Sequence, residues 1–132
     1  MATEETVYLS YAESVRHHFE LMLSYDEIRF GVDSRGLIKS ALARPQHAAV
    51  YENADIVRQA ATLCFGMIKN HPWLGGNKRT ATYLMEIFLE LNGYHLDYEL
   101  VEIIELSLNV ESDVWKVDEI ENWLRNKVKK LK

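Results

Sequence analysis

Two long apolar segments separated by a short loop constrain the fold of this chain more than any other feature of its sequence. They run from Asn53 to Asn70 and from Lys78 to Asn92, and in both of them apolar residues cover more than one helical face. A helix that is apolar most of the way round is buried at the centre of a domain. Pro72 disfavours helical geometry at the residue before it, so the first segment should end near His71. The sequence therefore predicts two central helices that hold a loop between them.

Shorter helices are predicted around this central pair from capping signals and apolar periodicity. We expect them at residues 10–25, 37–43 and 97–110, and from residue 117 onward. Pro45 should stop the second of these, because a proline inside a helix removes a hydrogen bond and clashes with the preceding turn. His17 and His18 adjoin the apolar stripe of the first helix and are expected at the surface. A minor β element is predicted from pairing of residues 7–9 with residues 95–96.

Composition indicates one globular domain and excludes several classes of function. With 132 residues, 48% hydrophobic and 27% charged, the chain should form a single all-α domain of about six helices over residues 1–132, with its core between about 7 and 125. A formal net charge of −5 argues against direct binding of nucleic acid, and the five cations of the last eight residues are expected in a solvated tail. Cys64 is the single cysteine, so neither a disulfide framework nor a zinc cluster is predicted. Because no apolar run approaches 18 residues, we expect a cytoplasmic protein without a membrane contact.

The loop between the central segments combines residues suited to phosphate chemistry. It reads His71-Pro-Trp-Leu-Gly-Gly-Asn-Lys-Arg-Thr80 and places two cations at the start of the second helix. A helix N-terminus offers unpaired N–H donors and the positive end of the helix dipole, which favour an anion. The sequence is not a P-loop, and an ordinary glycine turn between helices remains an alternative on these residues alone. The pattern therefore indicates a phosphate site with His71 as a candidate base beside it.

The same loop resembles the signature of a known family. His71 to Ala81 is similar to the signature loop of the Fic/Doc family, which reads roughly His-Pro-Phe-x-acidic-Gly-Asn-(Gly or Lys)-Arg. The lysine at its eighth place, followed by Arg-Thr-Ala, points to the death-on-curing (Doc) toxin branch. Gly36 to Gln46 and Phe88 to Tyr94 also resemble that branch, so that the resemblance covers roughly residues 7–125.

This resemblance implies a compact Fic/Doc-type domain and a specific activity. It implies a toxin of a toxin–antitoxin pair that transfers phosphate from ATP to a hydroxyl of a translation factor similar to elongation factor Tu, and so arrests growth. His71 would be the catalytic base, with Lys78 and Arg79 as catalytic cations, and Gly76, Asn77, Lys78 and Arg79 would bind the nucleotide. ATP with its Mg²⁺ is the implied cofactor, and a cognate antitoxin is the implied partner.

A second element implied by the resemblance is a flap that aligns the backbone of the target beside the loop. The residues in the matching position are Val32, Asp33, Ser34 and Arg35. They do not reproduce the Arg-Asp pair that Doc sequences often carry in this flap. From the residues alone, the segment is equally compatible with an ordinary connection between helices.

Two departures from the family pattern leave alternatives open. Gly75 stands where the family has the acid that binds the Mg²⁺ of the nucleotide, so no protein ligand to a metal is predicted. The chain is then a weakened or inactive relative, a detoxified variant, or one in which a distant carboxylate such as Asp33 reaches the site. Thr82 replaces the second arginine of AMP-transferring relatives, which favours phosphate over AMP transfer. An AMP-transferase and a non-catalytic binding module remain the alternative functions, and a Gly75→Asp revertant that gained activity would support impairment.

Overall fold

A computed structural model describes residues 5–131 of the chain, and residues 1–4 and 132 of the expected domain lie outside the described part. Within it, six α-helices and one small sheet follow each other along the chain. They are α1 Tyr11–Ser24, α2 Arg35–Glu52, α3 Ile56–Asn70, α4 Asn77–Leu91, β1 Tyr94–Leu96, α5 Leu100–Glu111, α6 Val117–Arg125 and β2 Val128–Lys130. The prediction of an all-α fold with about six helices and a minor β element is confirmed.

The central position of α3 and α4 follows from their apolar sequences. Ten of the fifteen residues of α3 are buried, and α3 packs against α2, α4 and α6. Trp73 in the connecting loop and Phe88 on α4 are each 1% exposed, so the core reaches directly under the loop. Asp55 caps α3, because its side chain accepts a hydrogen bond from the N–H of Arg58. The loop is therefore mounted between the two central, buried helices.

Helix α2 is much longer than the sequence indicated, and the expectation that it stops before Pro45 is wrong. Ser34 caps the helix, which continues through Pro45 to Glu52. Ile38, Ala41, Pro45 and Ala48 form one buried stripe against α3. An interior proline costs roughly 3 kcal/mol, and burial of this stripe offsets that cost because the apolar surface on both sides of Pro45 leaves water.

The small sheet forms from different residues than predicted. β1 pairs antiparallel with β2, with Tyr94 opposite Lys130 and Leu96 opposite Val128. The residues expected as its partner lie elsewhere, where Val7 exchanges two hydrogen bonds with the Asn92 side chain. The expectation of a solvated tail is thus corrected for residues 128–130, which form the second strand. No helix among residues 5–131 is long and apolar enough to cross a membrane.

Candidate functional site

The loop between α3 and α4 begins and ends with left-handed backbone geometry. His71 ends α3 with φ 49° and ψ 52°, and its side chain is exposed. Gly76 has φ 66° and is the N-cap of α4, with the N–H of Thr80 donating to its carbonyl at 2.8 Å. Between them the buried Trp73 anchors the loop in the core. His71 and the first residues of α4 border the same cleft.

Asn77 holds the loop in shape through its side-chain amide. Its Oδ1 accepts from the N–H of Trp73 at 2.9 Å, and its Nδ2 donates to the carbonyl of Trp73 at 2.9 Å. The side chain is buried, so these two bonds are protected from water. An asparagine at this position can either hold the loop in shape or contact a phosphate with its side chain. Here the side chain bonds to the loop, and the backbone N–H groups at the helix start remain available to an anion.

Both cations at the start of α4 are paired with carboxylates from other elements. Lys78 Nζ lies 3.0 Å from Glu111 Oε2 at the end of α5, and an Arg79 nitrogen lies 3.7 Å from Glu27 Oε1. The Arg79 guanidinium also stacks 3.9 Å from the ring centroid of Tyr25. Ion pairs as exposed as these contribute little free energy. A multiply charged phosphate can therefore displace the carboxylates.

These residues line a cleft of about 580 Å³. One end of the cleft is the loop, with His71 and residues 74–79, and the cleft extends along α4 toward α5. A volume of this size is typical of small-molecule sites. Of the residues that the structure describes, Glu27 and Glu86 supply the carboxylates that line it, whereas Asp33 does not. The suggestion that Asp33 reaches into the site is therefore not supported.

The predicted flap lies beside the loop. Leu74 donates its N–H to the carbonyl of Gly31 at 2.8 Å, and Val32 pairs with Trp73 in an antiparallel bridge. The N–H groups of Asp33 and Ser34 both donate to the carbonyl of Pro72 at 3.0 Å. Asp33 and Ser34 are thus held against the loop by backbone hydrogen bonds, and Val32 lies opposite Trp73 in the bridge.

Arg35, the fourth, is the first residue of α2, and its guanidinium lies 5.0 Å from the ring centroid of Tyr11 on α1.

Gly75 is in close contact with the segment that leads into this flap. A Cβ atom added at Gly75 would lie 2.2 Å from the backbone oxygen of Arg29, a distance that real Cβ atoms do not adopt. Arg29 Nε in turn donates to the carbonyl of Leu74 at 3.1 Å. Residues 5–131 contain no group of three acidic, histidine or cysteine side chains that could hold a metal ion. The described residues therefore do not fit a divalent ion held by the protein itself.

His18 connects four segments at the base of the site, and the expectation that it lies at the surface is wrong. It is fully buried and stacks on Trp73 with ring centroids 4.1 Å apart. The N–H of Gly31 donates to its Nε2 at 3.0 Å, and its Nδ1 lies 2.8 Å from Thr80 Oγ1. Because Nε2 accepts, the neutral ring carries its proton on Nδ1 and donates it to Thr80. One imidazole thus contacts α1, the residue that precedes the flap, the loop and α4.

This burial predicts a pH dependence of folding stability. Burial lowers the pKa of His18 to about 4 from the 6.5 of an ordinary histidine. Between these values the unfolded chain binds a proton that the folded chain does not, so stability is full above pH 6.5 and falls as the pH drops toward 4. The expected loss is about 3 kcal/mol. Urea unfolding at several pH values measures it.

A His18→Gln variant should show a shallower fall over the same pH range, since glutamine does not titrate. His47→Gln serves as the matched control, because His47 is exposed on α2 and should leave the slope as in the parent chain. Equal slopes for the parent chain and His18→Gln would contradict the assignment.

Comparison with known proteins adds two findings. The family model described as Fic/DOC family matches residues 8–89. A relative named Toxin Doc, from Mycolicibacterium smegmatis (strain ATCC 700084 / mc(2)155), is 39% identical over 84 residues, which cover 58% of this chain and 64% of the relative. The match thus spans a little less than two thirds of the length of that relative. The family match includes the loop, the predicted flap and most of α4.

Proposed function

This chain belongs to the Fic/DOC family, and on that premise we propose that it is a Doc-type toxin that transfers the terminal phosphate of ATP to a hydroxyl of a protein. The observation that carries the proposal is the arrangement at one end of the cleft. An exposed His71 borders the same space as the N-terminus of α4 and the cations of Lys78 and Arg79. This combination provides a base, N–H donors and positive charge at one place, as phosphoryl transfer requires.

In the proposed reaction His71 accepts the proton of the target hydroxyl, because an imidazole can take up a proton near neutral pH. The hydroxyl oxygen forms a bond to the terminal phosphorus as the bond from that phosphorus to the bridging oxygen breaks, and ADP leaves. Lys78 and Arg79 balance the phosphate charge together with the N–H groups of residues 76–79. Residues 5–131 contain no cluster of three acidic, histidine or cysteine side chains that could hold a divalent ion, so no step is assigned to one.

The target and the partner of the proposed toxin follow from the family resemblance. We assign the target to the class of translation factors, with elongation factor Tu as the first protein to test, and the biological effect to growth arrest in the cytoplasm. A cognate antitoxin would restrain the activity. The name of the relative, Toxin Doc, supports the toxin role and the antitoxin partner.

Transfer of AMP is the weaker alternative because α4 lacks a further cation one turn beyond Lys78. Thr82 occupies that position, and its hydroxyl bonds back to the carbonyls of Lys78 and Arg79 at 3.2 Å and 3.1 Å. A non-catalytic binding module is favoured by one observation, the absence of a carboxylate at Gly75. These three functions make different predictions for one experiment.

The experiment is to incubate the chain with ATP, magnesium and elongation factor Tu and to record the intact mass of the factor. We expect the gain of one phosphate group. Gain of one AMP would instead support the alternative transferase. An unchanged mass at full occupancy of the cleft by ATP would contradict phosphate transfer to this target and favour the binding module.

A further inference from the structure

The cleft continues along α4 beyond Lys78, past side chains that the loop chemistry does not use. Lys78, Thr82 and Glu86 lie four residues apart on α4 and all line the cleft. Eight residues of helix span about 12 Å. If the phosphates of a ligand bind at Lys78, the other end of that ligand can therefore reach Glu86.

Glu86 presents an open acceptor at that end. The hydroxyl of Tyr98 donates to Glu86 Oε1 at 2.9 Å, while Oε2 accepts no hydrogen bond from any residue that the structure describes. Both side chains are half-buried, and burial raises the pKa of the Glu86 carboxyl. Oε2 is not a buried oxygen left without a partner, so it is open to the cleft and can accept a hydrogen bond from a ligand that supplies hydroxyl donors.

Opposite α4, the cleft is bordered by an apolar stripe on α5. Leu100, Ile104 and Leu108 are spaced by four residues and are 68%, 46% and 50% exposed. Their exposed side chains line the same cleft as the Glu86–Tyr98 pair. Apolar walls with few polar groups are typical of sites for organic ligands.

We infer that the far end of the cleft binds the nucleoside of a ribonucleotide, with Glu86 accepting hydrogen bonds from the ribose hydroxyls and the base lying against the α5 stripe. Recognition of a ribose hydroxyl by a carboxylate is a common device in nucleotide sites. This inference rests on the proposed function, because it takes the phosphates to occupy the start of α4.

The charges along the cleft also fix the direction of the ligand. The Glu86 carboxylate would repel a phosphate at the far end, whereas Lys78 and Arg79 would attract one at the loop. An uncharged diol at Glu86 and a triphosphate at the loop satisfy both ends. The ligand class is therefore a ribonucleoside triphosphate, and a deoxyribonucleotide should be discriminated against.

The test is a set of dissociation constants measured by calorimetry for three probes: ATP, 2′-deoxy-ATP and inorganic tripolyphosphate. For the parent chain we expect ATP to bind about tenfold more tightly than 2′-deoxy-ATP, since one hydrogen bond to a charged group is lost. The Glu86→Gln variant should bind ATP and 2′-deoxy-ATP with similar affinity and should bind tripolyphosphate no less tightly than the parent chain. Glu90→Gln, an exposed change one turn further along α4, is the matched control and should behave as the parent chain.

Failure of this inference can be told apart from failure of the proposed function. Equal affinity of the parent chain for ATP and 2′-deoxy-ATP, with Glu86→Gln unchanged, would overturn the ribose assignment while tripolyphosphate binding still supported the phosphate site. Absence of binding for both ATP and tripolyphosphate would overturn the phosphate site and this inference together. The Glu86→Gln variant could also lose as much affinity for tripolyphosphate as for ATP. That result would mean that Glu86 acts on the phosphates or the fold, and it would also overturn the assignment.

Discussion

Replacing Gly75 by aspartate is expected to destabilise the domain and to leave phosphate transfer no faster than in the parent chain. The sequence alone suggests that this change restores a missing acid. In the structure, however, the new Cβ would meet the backbone oxygen of Arg29 at 2.2 Å. The clash is with main chain, so a rotamer change cannot relieve it. Overpacking of this kind costs on the order of 2–3 kcal/mol, and the midpoint of thermal unfolding, Tm, should fall by roughly 5–10 °C.

The matched control for this prediction is Gly36→Asp. A Cβ at Gly36 has no atom within 4 Å, and the residue lies in the first turn of α2, where an acid is favourable. We expect its Tm to stay within about 2 °C of that of the parent chain. Arg29→Ala combined with Gly75→Asp should remain destabilised, because the alanine keeps the carbonyl that causes the clash. A Gly75→Asp chain with unchanged Tm and faster transfer would show that the loop and the flap separate without cost.

Removal of the His71 imidazole should reduce phosphate transfer by at least about a hundredfold, since a positioned base contributes that much or more. We expect ATP affinity to be unchanged in His71→Ala, because the phosphate cations are on α4 and not on this residue. Intact mass of the target over time measures the rate, and calorimetry measures ATP binding. Retention of most of the rate would contradict the assignment of His71 as the base.

The backbone at His71 calls for a second variant. Its φ of 49° is unfavourable for alanine, so His71→Ala should lose about 1 kcal/mol of stability. Asparagine tolerates this geometry, and His71→Asn should therefore lose transfer while keeping the stability of the parent chain. If His71→Ala and His71→Asn transfer phosphate equally slowly although their Tm values differ, the loss of rate is due to the missing imidazole and not to the backbone conformation.

Local sequence signals were sufficient for the frame of the site and insufficient for its contacts. The apolar segments around His71 and the proline after it located the loop and both central helices within a few residues. The prediction that a helix stops before Pro45 was wrong because the effect of proline is local, whereas the length of α2 is decided by burial against α3. The strand at 128–130 was missed because its partner at 94–96 lies far away in the sequence.

The buried histidine shows the same limit on a smaller scale. The apolar stripe of the first helix consists of Val15, Phe19 and Met22 at helical spacing, whereas the residues of α1 that are buried are Ser14, His18 and Met22. Helical periodicity predicts the buried face of a helix to within one residue. It does not decide between two adjacent faces when the one that is buried contains polar residues. Burial of His18 depends on Trp73, Gly31 and Thr80, which come from three other segments.

The contacts of Glu27 with Arg79, of Glu111 with Lys78 and of Arg29 with Gly75 likewise join residues far apart in the chain. No spacing rule within the sequence predicts them. They are nevertheless the contacts that decide what the loop can accept, because two of them occupy its cations and the third closes the position of the missing acid.

The pairing of both loop cations with carboxylates also determines how the site responds to salt. An anion that binds two free cations loses affinity as salt screens its attraction to them. Here the same screening weakens the pairs of Lys78 with Glu111 and of Arg79 with Glu27, which must open before the anion binds. The two effects oppose each other, so the affinity of this chain for polyphosphate varies less with ionic strength than the affinity of a site with unpaired cations.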